Sequence, residues 1–259
     1  MTGDAGHRAG FADHFSRDPA AYAKFRPRYP EALFAWLATL PDRTHRAWDC
    51  ATGNGQAAVP LSRHFDLVLA SDASRGQLRV AESAPGVRYF AGLGEVAPLR
   101  TRSIDLVTVA QAMHWLDPAA FVAESERVLS DGGALAVFGY GILRMEGRVG
   151  EAITRFYTET VGPFWPPERK IVEEGFRSIP LPIQEGPAPA LAMEAQLSLD
   201  GLAGYVHTWS AVGRYIEKHG ADPVAALLSE IGPMWGDPRE PRPVRWPLAI
   251  RAGRWIRAR

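Results

Sequence analysis

Twelve consecutive residues, Ala47-Trp48-Asp49-Cys50-Ala51-Thr52-Gly53-Asn54-Gly55-Gln56-Ala57-Ala58, constrain this chain more than any other stretch. An apolar segment passes into a turn carrying two glycines, and apolar positions at Ala57, Ala58, Leu61 and Phe65 then recur at helical spacing. The stretch reads as strand, turn and helix start. Glycine lacks a Cβ and tolerates positive φ, so Gly53 and Gly55 let the main chain come close to a ligand at the mouth of the strand. Amides at the start of the following helix add partial positive charge there. About 20 residues later a second run, Leu67-Val68-Leu69-Ala70-Ser71-Asp72, reads as a buried strand ending in a carboxylate that can accept both hydroxyls of a ribose.

The spacing Gly53-x-Gly55-x-x-Ala58 also satisfies the loose fingerprint of dinucleotide-binding folds, which carries little specificity alone. Asp49, four residues before Gly53, separates the two readings. A pyrophosphate on the loop would meet this negative charge, whereas an α-ammonium and a sulfonium would be drawn to it. A carboxylate and an ammonium about 4 Å apart at a partly screened site attract by roughly 4 kcal/mol before desolvation is subtracted. The sign favours S-adenosylmethionine over a dinucleotide.

The ordered set Asp49-x-x-x-Gly53-x-Gly55, Asp72, Gln111-Ala112-Met113-His114-Trp115 and Arg127-Val128-Leu129-x-x-Gly132-Gly133 resembles class I S-adenosylmethionine-dependent methyltransferases. Tyr22-x-x-x-Arg26-Pro27-x-Tyr29-Pro30, Thr208-Trp209-Ser210 and Trp246-Pro247-Leu248 resemble the small-molecule branch that includes trans-aconitate-type methyltransferases. The resemblance spans nearly the whole chain. It implies S-adenosyl-L-methionine as cofactor, with contacts from Tyr22, Arg26, Asp49, Ala51, Gly53, Gly55, Gln56, Asp72, Ala73, Gln77, Gly94, Glu95, Gln111 and His114. It also places the segment before residue 30 across the methionine end, with Tyr22 and Arg26 near the carboxylate, where a planar guanidinium fork suits the task. The turn Gly92-Leu93-Gly94-Glu95 then borders the adenine. Relatives often carry an acidic residue where Leu93 stands, so backbone groups are left to recognise the adenine amino group here.

Lys plus Arg equals Asp plus Glu at 29 each over 259 residues, and this zero formal charge argues against nucleic acid as a partner. The single cysteine, Cys50, excludes an internal disulfide and agrees with a reducing compartment. Met1-Thr2-Gly3-Asp4 does not begin a basic-then-apolar signal, and no stretch approaches about 18 uninterrupted apolar residues, so a soluble cytoplasmic protein without a membrane partner is expected. The seven histidines show no zinc-binding spacing, and no metal is expected. Oligomeric state leaves no trace in the sequence.

Strands and helices alternate up to Tyr140: a helix after Pro30, strands at 47–50, 67–72, 86–91, 103–110 and 134–138, and helices following the loop, from about Gln77 to Ser83 and after Asp117-Pro118. Asp131-Gly132-Gly133 reads as the turn into the fifth strand. The expectation is an α/β fold, a doubly wound, mostly parallel, seven-stranded Rossmann-like sheet with an antiparallel edge strand and an inserted helical cap. We divide the chain into an N-terminal lid segment (1–29), the cofactor-binding core (30–140), a cap and substrate region (141–235) and a final strand completing the core (236–259). Within the cap, helical runs are expected near 149–161, 199–218 and 223–231, separated by proline-rich segments. Pro243 to Ile250 reads as the last strand, near an edge where proline is tolerated.

Methyl transfer from a sulfonium is a direct displacement, so the protein's main work is alignment and exclusion of water. His114 is the candidate catalytic base where the acceptor must lose a proton, with packing or ligand contact as its other roles. Trp115, Tyr140, Trp165, Tyr205 and Trp209, with Trp235, are candidates for the acceptor pocket, each able to serve instead as core. Asp72 doubles as a helix cap, Gln77 as an exposed helix residue and Glu95 as a tie within its own turn. A small, partly apolar acceptor fits the neutral charge and the aromatic cap. Two other enzyme readings remain at this stage. A cyclase would displace the cofactor's own sulfur substituent and release methylthioadenosine, and a nicotinamide-dependent oxidoreductase would use the glycine fingerprint. A binding-only relic of the fold is the non-enzymatic alternative.

Overall fold

The computed structural model describes residues 27–257. Tyr22 and Arg26, with nearly all of the expected lid segment, lie outside the described residues. The first helix among the described residues, α1 (Glu31–Leu37), begins after Pro30, whose fixed φ suits a helix entrance, and buries Leu33, Phe34 and Leu37. The strands β1 (Arg46–Cys50), β2 (Leu67–Asp72), β3 (Val87–Ala91), β4 (Ile104–Ala110) and β5 (Leu129–Tyr140) form the parallel part of one sheet. β8 (Arg242–Trp255) runs antiparallel along β5, from Ala134 opposite Arg254 to Tyr140 opposite Leu248. With β6 (Ile183–Glu185) at the far edge, the order is β3-β2-β1-β4-β5-β8-β6. The expected mostly parallel, doubly wound sheet is present, with eight strands rather than seven because a further strand pairs with β8 off this path, and the helices α2 (Ala58–Leu61), α3 (Arg75–Arg79) and α4 (Pro118–Val128) make its crossovers.

Alternate residues of the central strands enter two separate cores, as a sheet covered on both faces requires. Ala47, Leu106, Ala134, Ala136 and Phe138 pack on one side with Tyr29 and Phe34. Trp48, Val107, Val109, Leu135 and Val137 pack on the other with Phe121 and Met113. β4 is buried along all but its last residue, which is why it reads as an unbroken apolar run.

Several elements differ from the sequence expectation. α2 has four residues and α3 ends at Arg79, because the chain turns back so that Glu82 N–H reaches the Asn54 carbonyl at 3.0 Å. β5 starts at Leu129, and the expected turn at Asp131-Gly132-Gly133 is an irregularity inside the strand, where the pairing jumps from Ile104–Leu129 to Leu106–Ala134. Asp105 fills the jump, accepting from the His45 and Arg46 amides at 3.0 Å each and from the Ser130 hydroxyl at 2.9 Å.

The region 141–235 supplies α5 (Gly147–Arg155), α6 (Arg169–Glu173), α7 (Leu199–His207), α8 (Ser210–His219) and α9 (Pro223–Trp235). It is not helical throughout, because β6 and β7 (Ala192–Leu197) lie inside it and both pair with β8. The expected helix at 149–161 changes after Arg155 into a π-helical turn, Phe156–Thr160, and the run at 199–218 breaks at Thr208-Trp209. Among the described residues no helix is long and apolar enough to cross a membrane, and no cluster of three or more His, Cys, Asp or Glu is placed to hold a metal.

Candidate functional site

The glycine turn sits at the carboxyl end of β1, in the middle of the parallel sheet, where ligands bind in open α/β folds. Ala51, Gly53 and Gly55 all take positive φ, at 54°, 59° and 91°. A Cβ added at Gly53 would meet nothing within 4 Å, whereas one at Gly55 would strike the Tyr89 hydroxyl. Gly53 therefore presents bare backbone outward, and Gly55 is a glycine because a side chain packs on it. The turn is braced from within, with Thr52 N–H donating to the Ser71 carbonyl at 2.9 Å and Gly55 N–H to the Thr52 carbonyl at 3.0 Å.

Asp49 lies under this turn at 0 % exposure. It accepts the Thr52 hydroxyl at 2.5 Å and the Thr108 hydroxyl at 2.8 Å. Burial, outweighing these two donors, pushes its carboxyl up to about 6. Asp72 accepts Gly53 N–H at 2.8 Å on one oxygen and Ser74 N–H at 2.7 Å on the other. The cap of α3 is Ser74, whose hydroxyl accepts from Gln77 N–H at 3.3 Å. Asp72 thus stands at the end of β2 directly beside the bare backbone of Gly53. An open glycine face flanked by the carboxyl groups of Asp49 and Asp72 suits a nucleoside carrying no phosphate.

Gln77 is buried rather than exposed, while Ala51, Gln56 and Ala73 are half-buried around the turn. A Cβ at Gly94 would come within 2.7 Å of Cys50 Sγ, so that glycine lets the turn after β3 close on β1. Glu95 accepts the Asp117 amide at 3.0 Å and so ties this turn to the start of α4. Gln111, at the end of β4, has φ of 55° and pairs its side-chain amide with both main-chain groups of Tyr140, at 2.7 and 3.0 Å. Left-handed backbone at a non-glycine residue persists where its surroundings over-determine it, and functional sites collect such residues.

Beyond Gln111 a cleft opens between the sheet and the helices of region 141–235. Gln111, His114, Trp115, Trp165, Tyr205 and Trp209 line it. The sequence thus named six of its residues. Tyr140 is not among them, since its side chain is buried in the core 6.2 Å from the Tyr29 ring. Trp235 is also core, with its indole N–H on the Glu240 carbonyl at 3.1 Å. The walls are aromatic: Tyr157 lies 4.9 Å from Trp165 and 5.5 Å from Trp209, and Tyr205 lies 5.8 Å from Trp209.

His114 sits in a 3-10 turn, Met113–Trp115, with its ring 4.5 Å from that of Trp115. Its Nδ1 is buried without a hydrogen-bond partner among the described residues. Burial, reinforced by the Arg169 charge, lowers the imidazole to about 3, so the ring is neutral at physiological pH.

Tyr157 and Arg169 also line the cleft, and sequence reasoning passed over both. Tyr157 reaches it from the π-helical turn, a distortion of one extra residue per turn that periodicity alone does not announce. Arg169 follows Pro166-Pro167-Glu168 with no motif to mark it.

The Methyltransferase domain family matches residues 48–137, which run from β1 through most of β5. A Dictyostelium discoideum protein named "Putative methyltransferase" is 30% identical over 216 residues, covering 82% of each chain. An "Uncharacterized methyltransferase" of Mycobacterium tuberculosis is 37% identical over 124 residues, 48% of this chain and 50% of its own. The solved structure of a "Putative Type II Methyltransferase" from Anaeromyxobacter dehalogenans is 41% identical with a TM-score of 0.84, covering 89% of this chain and 98% of that one. Matches of this extent, on a fold whose glycine turn is open beside Asp72, show that the chain belongs to the class I S-adenosylmethionine-dependent methyltransferases.

Proposed function

We propose that this methyltransferase acts on a small-molecule acceptor held in the aromatic cleft beyond β4, with the cofactor on the glycine turn. The observation that carries the reading is continuity: Gln111 and His114 stand at the carboxyl end of the same sheet as the turn and also line the cleft. S-adenosylmethionine supplies an electrophilic methyl group on a sulfonium. The residues assigned to holding it are the turn at 51–56, Asp72 with Ala73 and Gln77 at the ribose, Gly94 and Glu95 at the adenine, and Gln111 at the methionine end. Tyr22 and Arg26 are assigned to its carboxylate from their place in the sequence alone.

The side chains of the cleft align and dehydrate the acceptor. Trp165, Trp209 and Tyr205 give it an apolar, electron-rich wall, and aromatic faces attract a neighbouring cation by about 0.5 to 2 kcal/mol. A ring with a pKa of about 3 is a poor proton acceptor at neutral pH, so we assign His114 to orienting the acceptor. Alignment alone can supply roughly 7 to 11 kcal/mol of a barrier. The likeness to the trans-aconitate-type branch belongs to this reading, as do solubility in the cytoplasm and the absence of nucleic-acid and membrane partners.

Calorimetry with S-adenosylmethionine, followed by incubation of labelled cofactor with a metabolite library, tests the reading. Binding at tens of micromolar or tighter and label transfer to a small molecule are expected. Methylthioadenosine formed without any acceptor would replace methyl transfer with cyclisation. Binding of a nicotinamide dinucleotide in place of S-adenosylmethionine would overturn the assignment of the turn.

A further inference from the structure

Arg169 brings a positive charge to the cleft, and alignment of a neutral acceptor gives that charge no task. We propose that Arg169 recognises a carboxylate, or another planar oxyanion, on the acceptor, and that Tyr157 and Glu173 are positioning residues that aim it. The proposal rests on the small-molecule methyltransferase reading above and names the acceptor's chemical class.

Arg169 is half-buried, and among the described residues it is the only charged side chain lining the cleft. Its Nε donates to the Tyr157 hydroxyl at 3.2 Å, and its Cζ stands 4.9 Å from the centre of the Trp165 ring. The two terminal nitrogens make no hydrogen bond or ion pair with any described residue. A guanidinium carries five donors in a rigid fork that matches an oxyanion two bonds at a time. Leaving such donors unmatched in a partly desolvated place is costly.

Other arginines of the chain bridge to an acid, as Arg127 does to Glu124 and Arg251 to Glu185. The acid within reach of Arg169 is diverted. Glu173, one helical turn on along α6, takes the Tyr157 hydroxyl proton as its hydrogen bond at 2.5 Å. Tyr157 therefore donates to Glu173 and accepts from Arg169, which fixes one edge of the guanidinium and leaves its fork free. Two backbone irregularities build this arrangement. The π-helical turn carries Tyr157 into the cleft, and left-handed backbone at Gly175 and Phe176, φ 64° and 62°, ends α6 directly after Glu173.

An acceptor of this class would lay its flat body against Trp165 and Trp209 with its anion on the Arg169 fork. The anion is then an anchor, and the atom that receives the methyl group is a separate one near His114.

The probes are benzoate and benzamide, near-isosteres differing in charge, with acetate and acetamide as a smaller pair. Each is titrated calorimetrically into protein saturated with S-adenosylhomocysteine. The acids are expected to bind at least about tenfold tighter than the amides, a difference of 1.4 kcal/mol. Arg169→Gln should erase that preference, and Arg169→Lys should restore only part of it because the charge returns without the fork. Tyr157→Phe should weaken the acids severalfold and leave the amides unchanged, whereas a merely structural role would weaken both alike. Equal binding of acid and amide, no measurable binding of either acid, or a preference that survives Arg169→Gln overturns the proposal. Failure of the unmodified protein to bind S-adenosylhomocysteine would instead strike the methyltransferase reading of the turn.

Discussion

The carboxylate of Asp49 accepts the Thr108 hydroxyl at 2.8 Å and so fastens the end of β1 to β4 directly beneath the glycine turn. Its second oxygen holds Thr52 in the turn itself. The charge of Asp49 therefore acts on any ligand from below, without touching it through solvent.

Affinity for the cofactor should consequently follow the ionisation of Asp49. With the carboxyl raised to about 6, lowering the pH from 8 to 5 neutralises it. S-adenosylmethionine, net positive through its sulfonium, should then bind roughly three- to tenfold more weakly. S-adenosylhomocysteine, which lacks that charge, should change less. Calorimetry at the two pH values checks this, and Asp49→Asn should flatten the dependence.

The same group and His114 pull stability in opposite directions. A raised folded pKa means that Asp49 contributes stability fully present below 3.8 and lost as pH rises past about 6. A depressed one means that His114 contributes stability present above 6.5 and lost as pH falls toward about 3. Between roughly pH 4 and 6 the two slopes oppose. Urea unfolding of Asp49→Asn should therefore show stability rising with pH across that window more steeply than in the unmodified protein.

Orienting the acceptor and deprotonating it give different kinetics at position 114. His114→Asn should raise KM several-fold, leave kcat within about threefold and leave cofactor binding intact. The kcat profile of the unmodified enzyme should carry no inflection near pH 6.5 from this ring. A collapse of kcat at unchanged KM would return His114 to proton transfer.

The two glycines of the turn separate folding from binding. Gly55→Ala forces a methyl group onto the Tyr89 hydroxyl at φ 91°, so it should cost about 1 to 3 kcal/mol in urea unfolding. Gly53→Ala meets open space and should cost about 1 kcal/mol for its φ alone. Its methyl group would occupy the ligand's face, so cofactor affinity should fall well beyond that loss of stability.

Asp72→Ala should weaken S-adenosylmethionine at least about tenfold, as expected for losing a charged acceptor of two hydroxyls. It also removes the partner of Gly53 N–H and Ser74 N–H, so the turn itself should loosen and its amides exchange faster with solvent.

The sheet from β1 to β5 was legible because each strand is a short apolar run ended by a cap, a glycine or an acid, as in Ser74 before α3 and Asp117 before α4. The glycine turn was legible for the same local reason. β6 and β7 were not, since runs of three and six residues without a clean alternation of apolar and polar positions gain their order by pairing with β8. Tyr140 misled because an aromatic residue at a strand end reads alike whether it faces core or cleft. Arg169 and Tyr157 could not be found by spacing, because they lie 55 and 43 positions beyond His114 in the chain and the cleft brings them to it by way of a π-helical turn.

β8 pairs with β5 along one edge, with β6 along the other and with β7 through its first half, yet it follows all three in the chain. During synthesis the glycine turn and its neighbouring strands have their partners early, while the acceptor side waits for a ribbon translated later. The two halves of the site are thus separated in time as well as along the chain, and β8 is the piece that joins them.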